Sequence, residues 1–313
     1  MPAFGDLTKV VGRTPLVRID RLSPKAGVHI WAKLEGFNPT GSVKDRVALF
    51  MVEEAERSGR LSPGDMLLEP SSGNTGIALA MIARVKGYGC TIVMPENVSL
   101  ERRQLLDIYG AEIVLSPGED GSNGAIRRAE RMVAESPDKF TMLFQYENPM
   151  NPEAHYRTTG PEILADVPKI DVFVAGLGTG GTLTGAGRFL KERRPGVKVV
   201  AVEPPAGELV QGLRSLEEGY VPPVFDPTVL DSKILIRNRE SLIWLRRLAE
   251  EEGIFAGISS GACVAGAVRM AERMDAGNIV ALLPEGGWKY LSTGAWTGDL
   301  DEAVERLTGK LLW

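Results

Sequence analysis

The chain has 313 residues, more than one ordinary core holds, so two domains sharing an interface are expected. Hydrophobic residues make up 43% and charged residues 25%, an ordinary globular balance, and the net charge of −5 argues against a nucleic-acid binder, which would carry a basic stripe. Two cysteines and two histidines exclude a disulfide framework and a multi-His or Cys-rich zinc site, so no metal is expected and acid–base chemistry falls to lysine, a carboxylate or a bound cofactor.

The opening MPAFGDLTKVVG lacks a basic stretch followed by an apolar one, so no secretory signal is read there. The longest apolar stretches, such as 77–83, fall far short of the ~20 residues that cross a bilayer. A reduced cytoplasmic setting follows, with Cys90 and Cys263 read as small buried hydrophobes.

Strand-like runs are expected at 29–35, 66–69, 90–94, 112–115, 140–144, 171–175, 198–203 and 278–283. Helix-like segments are expected at 43–58, 75–86, 99–109, 121–135, 182–193, 239–252, 260–274 and 301–308. This alternation predicts an α/β fold of βαβ units, with mainly parallel sheet covered by helices on both faces. Ligands of such folds bind beyond the carboxyl ends of the strands. The Pro-, Asn- and Thr-rich stretch 145–162 reads as a domain junction, and 204–228 as a long connection of the kind that carries function.

Three helix starts carry the chemistry. In NPTGSVKDR (38–46), Ser42 and Asp45 form an expected capping box, which places Lys44 in the first helical turn. The helix dipole disfavours a cation there and favours a neutral, nucleophilic amine. A surface charge is the competing reading, and the P-loop spacing is absent. In EPSSGNTGIALAMIA (69–83), Ser71, Ser72, Gly73, Asn74 and Thr75 offer donors for a carboxylate, or else simply cap the helix.

In GLGTGGTLTGAGRFLKE (176–192), Gly178, Thr179, Gly180, Gly181 and Thr182 can wrap a phosphate in backbone amides. The same run matches the dinucleotide pattern Gly-x-Gly-x-x-Gly, with Glu203 near the place of a ribose acid, so a nicotinamide oxidoreductase is the rival. A tight turn with close helix packing is the third reading. Together the three starts supply an amine able to form a Schiff base, a carboxylate cup and a phosphate cup. Pyridoxal phosphate acting on an amino acid needs that set, and the dinucleotide reading explains one of the three.

Along almost the whole chain the sequence resembles the cysteine synthases (O-acetylserine or O-phosphoserine sulfhydrylases) of the fold type II, tryptophan-synthase-β-like pyridoxal phosphate enzymes. The resemblance rests on GRTPLVRI (12–19), NPTGSVKDR, EPSSGNTGIALAMIA, MPENVSLERRQLLDIYGA (94–111), NPEAHYRTTGPE (151–162), GTGGTLTG (178–185), EEGIFAGISSGA (251–262) and GWKYLSTG (287–294). It implies two three-layer αβα domains: a smaller, mobile one at 39–150, and a second made of 1–38 and 151–313.

It further implies roles for individual residues. Lys44 would hold the cofactor and transfer protons, and Asn74 would bind the cofactor's 3′ oxygen. Gly178 to Thr182 would hold the phosphate, and Ser259 would face the pyridine nitrogen. Ser71, Ser72, Gly73, Thr75 and Gln145 would hold the substrate carboxylate; the family usually has Thr where Ser71 stands, and the hydroxyl is kept. His155 reads as structural, and Glu203 as a strand-end residue.

The implied reaction is β-replacement on an O-activated serine, through an aminoacrylate, with a sulfur nucleophile to give L-cysteine. The sequence looks most like the B-type branch, particularly the actinobacterial O-phosphoserine-dependent enzymes. There Arg214 would meet an anionic leaving group or sulfur donor and marks the branch better than the substrate; the branch resemblance favours O-phosphoserine over O-acetylserine. Sulfide or a thiocarboxylate on a small carrier protein would supply the sulfur, and a homodimer is implied. A same-fold cystathionine β-synthase is a further alternative, as is a non-catalytic binding module.

Overall fold

A computed structural model describes residues 3–71 and 73–308; residues 1–2, Ser72 and residues 309–313 lie outside the described part. In chain order the elements are β1 (Leu16–Arg18), β2 (Val28–Leu34), α1 (Lys44–Arg57), β3 (Met66–Pro70), α2 (Asn74–Lys86), β4 (Gly89–Pro95), α3 (Leu100–Ile108) and β5 (Glu112–Ser116). Then come α4 (Gly121–Glu135), β6 (Phe140–Met142), α5 (Met150–Ala154), α6 (Gly160–Asp166), β7 (Val172–Gly176), α7 (Gly181–Arg193), β8 (Lys198–Glu203) and β9 (Ser232–Leu235). The chain closes with α8 (Asn238–Glu252), α9 (Ile258–Ala271), β10 (Gly277–Leu283) and α10 (Leu300–Thr308).

The strands form two sheets. One runs β1-β2-β10-β7-β8-β9, parallel except for antiparallel β1; the other runs β5-β4-β3-β6, wholly parallel. Alternate residues of a strand point to opposite faces. In β7 and β8, Val172, Val174, Val200 and Val202 join one core with α9, while Phe173, Ala175, Val199 and Ala201 join another with α6 and α7. In the smaller sheet Leu67 and Ile92 face α1 and α2, while Leu68 and Val93 face α4. Both faces of both sheets are thus apolar and covered, as parallel sheets require. The αβα architecture read from the sequence is the one observed. Among the described residues no helix is long and apolar enough to cross a membrane.

Two expectations need correction. Strands β1 and β9 lie at the sheet's two edges, where half-exposed LVR and SKIL give no continuous apolar run. Strand β6 stops at Met142, because Phe144 adopts φ +53° and turns the chain out of the sheet.

The junction at 145–162 is largely helical: α5, a single π-helical turn over His155–Thr159, then α6. The composition of this stretch does not advertise helix, because Pro152 and Pro161 lie in it. Both sit near helix starts, where the missing N–H costs least.

Candidate active site

A cleft opens where β3, β7 and β10 end, at their carboxyl edges. Lys44, Ser71, Gly73, Asn74, Thr75, Gln145, Gly178, Thr179, Gly180, Thr182, Arg214 and Ser259 all line it, although they come from six separate stretches of the chain. Gly181 does not line it. Its amide donates to Thr179 Oγ1 at 3.4 Å, and its Cα faces Asn151 so closely that a Cβ would lie 1.9 Å from the amide oxygen.

Lys44 is the first residue of α1, but the capping box does not form. No side chain caps the helix. Asp45 reaches back past Ser42, and its carboxylate accepts from the Thr40 amide at 2.6 Å and from the Thr40 hydroxyl. Ser42 Oγ accepts from the Lys44 amide at 3.3 Å.

The next residue, Arg46, is 1% exposed. It donates to Glu35 at 2.7 and 2.9 Å and to Glu162 at 2.7 Å, with Lys33 Nζ also 2.7 Å from Glu162. These ties on Asp45 and Arg46 fix the backbone that carries Lys44. No hydrogen bond or ion pair holds the Lys44 amine among the described residues. Burial lowers its pKa to about 8, against an opposing pull from the charge on Glu285. Burial thus makes the amine easier to deprotonate than an ordinary lysine.

At the start of α2, Ser71 does part of the capping that the sequence allowed for: its Oγ accepts from the amides of Gly76 at 3.0 Å and Gly73 at 3.3 Å. Thr75 Oγ1 donates to Gln145 Oε1 at 2.7 Å, so α2 and the segment after β6 hold one another. The first amides of α2 have no intrahelical partner and stand at the positive end of its dipole.

At the start of α7, Gly180 adopts φ +83°, and a Cβ there would lie 2.5 Å from Phe225; one at Gly178 would lie 3.0 Å from the Gly212 carbonyl. No side chain caps α7. Thr179 Oγ1 accepts from Asn151 at 3.0 Å, and Thr182 Oγ1 lies 3.2 Å from His155 Nε2. His155 is fully buried, its pKa driven well below the ordinary value by burial and by the charges of Lys44 and Arg46. It is therefore neutral and orients Thr182. This uncapped glycine turn is a cradle of amides with room for a phosphate, so the residues present fit pyridoxal phosphate. Glu203 is 0% exposed and paired with Lys233 at 2.7 Å, which leaves no carboxylate there for a ribose.

Arg214 comes from the long connection. Its guanidinium carbon lies 4.7 Å from the Tyr220 ring centre and 5.6 Å from that of Tyr146, and it has no ion-pair partner among the described residues. Four ionisable lining residues drew no role from the sequence: Arg102, Tyr146, Glu285 and Tyr290. Glu285 follows a continuous apolar strand, and Tyr290 lies in the GWKYLSTG stretch; these were the available signals. Arg102 donates to the Tyr290 hydroxyl at 3.1 Å, and Tyr290 donates to Glu285.

Residues 7–285 match the family model described as pyridoxal-phosphate dependent enzyme. The chain is 46% identical over 291 residues to a cysteine synthase B of Salmonella typhimurium, covering 93% of this chain and 95% of that one. It is 43% identical over 304 residues to a cysteine synthase of Staphylococcus aureus, covering 94% and 97%. Among solved structures it is similar to an O-ureido-L-serine synthase (TM-score 0.90, 42% identity, 96% and 98% covered) and to a cysteine synthase from Entamoeba histolytica (TM-score 0.89, 34% identity, 99% and 96% covered). The chain belongs to the pyridoxal-phosphate-dependent enzyme family, among its cysteine synthases.

Proposed function

We propose that the cleft carries out β-replacement on an O-activated L-serine, with O-phosphoserine favoured over O-acetylserine, and releases L-cysteine. The observation that carries the preference is Arg214. A guanidinium held by two aromatic faces, with no ion-pair partner among the described residues, is ready to meet an anionic leaving group.

Lys44 would hold the cofactor; Asn74 would meet its 3′ oxygen; Gly178, Thr179, Gly180 and Thr182 would hold its phosphate, with Gly181 shaping the turn from outside the cleft; and Ser259 would face its ring nitrogen. When bound, pyridoxal phosphate supplies an electron sink for charge that develops at the substrate Cα. The α2 amides, with Ser71, Ser72, Gly73, Thr75 and Gln145, hold the substrate carboxylate. The freed Lys44 amine takes the Cα proton, and its lowered pKa suits a base near neutral pH. Arg214 stabilises the group that departs from C3. Ser259 places no formal charge opposite the ring nitrogen, which favours elimination over reactions that need a protonated ring.

The sulfur arrives as sulfide or as the thiocarboxylate of a small carrier protein. The enzyme works as a cytoplasmic homodimer in which 39–150 moves as a unit on the rest of the chain. The test is spectroscopic. The reconstituted protein is yellow, and its visible absorbance shifts when O-phosphoserine is added without sulfide. An unshifted spectrum with both O-phosphoserine and O-acetylserine would contradict the reading.

A further inference from the structure

Lys289 is 1% exposed, although the 3-10 turn that carries it, Gly287–Thr293, leaves Trp288 and Leu291 at the surface. Its Nζ donates to Asn74 Oδ1 at 2.7 Å. On the other side, Asn74 Nδ2 donates to Glu285 Oε2 at 2.8 Å. Glu285 is 4% exposed and also accepts from the Tyr290 hydroxyl. Lys289 and Glu285 lie 3.9 Å apart, flanking a single amide.

The two ends of an asparagine amide are almost alike in shape and opposite in hydrogen bonding, so its partners decide which way it faces. An ammonium has only donors and can meet only the oxygen. A carboxylate has only acceptors and can meet only the NH2 group. Turning the amide over would set donor against donor and acceptor against acceptor. Burying a lysine that holds one amide at 2.7 Å and otherwise hydrogen-bonds, among the described residues, only to the Gly41 carbonyl, at 3.5 Å, is costly, since the charge leaves water. A neutral core residue would fill the space more cheaply. What the pair adds is a fixed orientation, with one Nδ2 hydrogen left over on a residue that lines the cleft.

We propose that Lys289 and Glu285 are positioning residues that clamp the Asn74 amide so that its NH2 group, and not its oxygen, faces the cofactor. The clamp rests on the assignment of Asn74 to the cofactor's 3′ oxygen. A flipped amide would turn a hydrogen bond to that oxygen into a repulsion.

The experiment compares wild type, Lys289→Met, Lys289→Gln, Asn74→Ala and the double variant Lys289→Met/Asn74→Ala. It reads the pyridoxal phosphate Kd of each apoenzyme, the visible band of the reconstituted protein against pH, and the apoenzyme melting temperature. Both single Lys289 variants are expected to raise Kd about tenfold, on the order of 1.4 kcal/mol, and to move the band's pH dependence in the direction that Asn74→Ala moves it. In the double variant the loss of Lys289 adds nothing to the loss of Asn74. Wild-type Kd and band in both Lys289 variants, with Asn74→Ala altered, would overturn the clamp alone, even where the apoenzyme melts lower. Wild-type behaviour in Asn74→Ala as well would overturn the assignment of Asn74 itself. A further loss of affinity in the double variant would assign Lys289 a general structural role and overturn the clamp.

Discussion

The fully buried carboxylate of Glu69, near the end of β3, accepts from the backbone amides of Phe144 and Gln145 at 2.7 and 2.9 Å. It holds the left-handed turn at Phe144 and so aims Gln145 at Thr75. Burial pushes the pKa of Glu69 up to about 7, even though both amides favour the charged form. A carboxyl raised above its unfolded value binds more protons in the folded state. Its stabilising effect is present below the ordinary carboxylate range and is lost as pH rises through about 7. Asp45, pushed up to about 6 by burial, acts in the same direction. Glu162, though also partly buried, is held down to about 2 by Arg46 and Lys33, so its effect falls in more acidic solution. Urea midpoints should therefore fall from about pH 5 to about pH 8. Glu69→Gln should flatten that slope by up to ~3 kcal/mol, at ~1.4 kcal/mol per pKa unit. A slope unchanged in Glu69→Gln would remove Glu69 from the account.

Lys44→Ala should give a folded protein that binds pyridoxal phosphate without the wild-type visible band, with kcat lowered at least ~1,000-fold, as removal of a holding group and base predicts. The anchors on Asp45 and Arg46 do not involve the lysine amine, so the melting temperature should stay close to that of the wild-type apoenzyme. A variant that kept the band would place the reactive amine elsewhere.

Gly180→Ala should weaken cofactor binding and lower the melting temperature. The left-handed conformation alone costs a side chain ~1–2 kcal/mol, and the added Cβ would meet Phe225 at 2.5 Å. Isothermal titration of the apoenzyme with pyridoxal phosphate, beside a melting curve, reads both effects. Wild-type values in both would mean that the turn relaxes freely and is no cradle.

Much of this was legible in the sequence because the signals were local. Covered parallel strands read as apolar runs, and small polar residues after them marked the starts of α2 and α7. The edge strands β1 and β9 carry no such run, and the prolines of 150–166 mark helix starts that look like loop. At Lys44 the position in the helix was readable, but the capping box was not. Asp45 chose Thr40, a partner set by the turn's three-dimensional course. The clamp on Asn74 was the least legible part. Asn74 and Lys289 are 215 positions apart, and only the packing of β10 against the rest brings them together.

Cys90 and Cys263 are buried, and burial pushes both thiols up to about 12. Neither should react with a thiol reagent such as Ellman's at neutral pH until the protein unfolds, when two equivalents should appear. Rapid labelling of the native protein would contradict their burial.

The proposed preference for O-phosphoserine rests on Arg214. The direct measurement is kcat/KM for O-phosphoserine and O-acetylserine, with sulfide as nucleophile, in wild type and Arg214→Ala. The account predicts a loss of ~100-fold or more with O-phosphoserine, the cost of a charge-assisted contact, and a loss of less than ~5-fold with O-acetylserine. An equal loss with both substrates would contradict it.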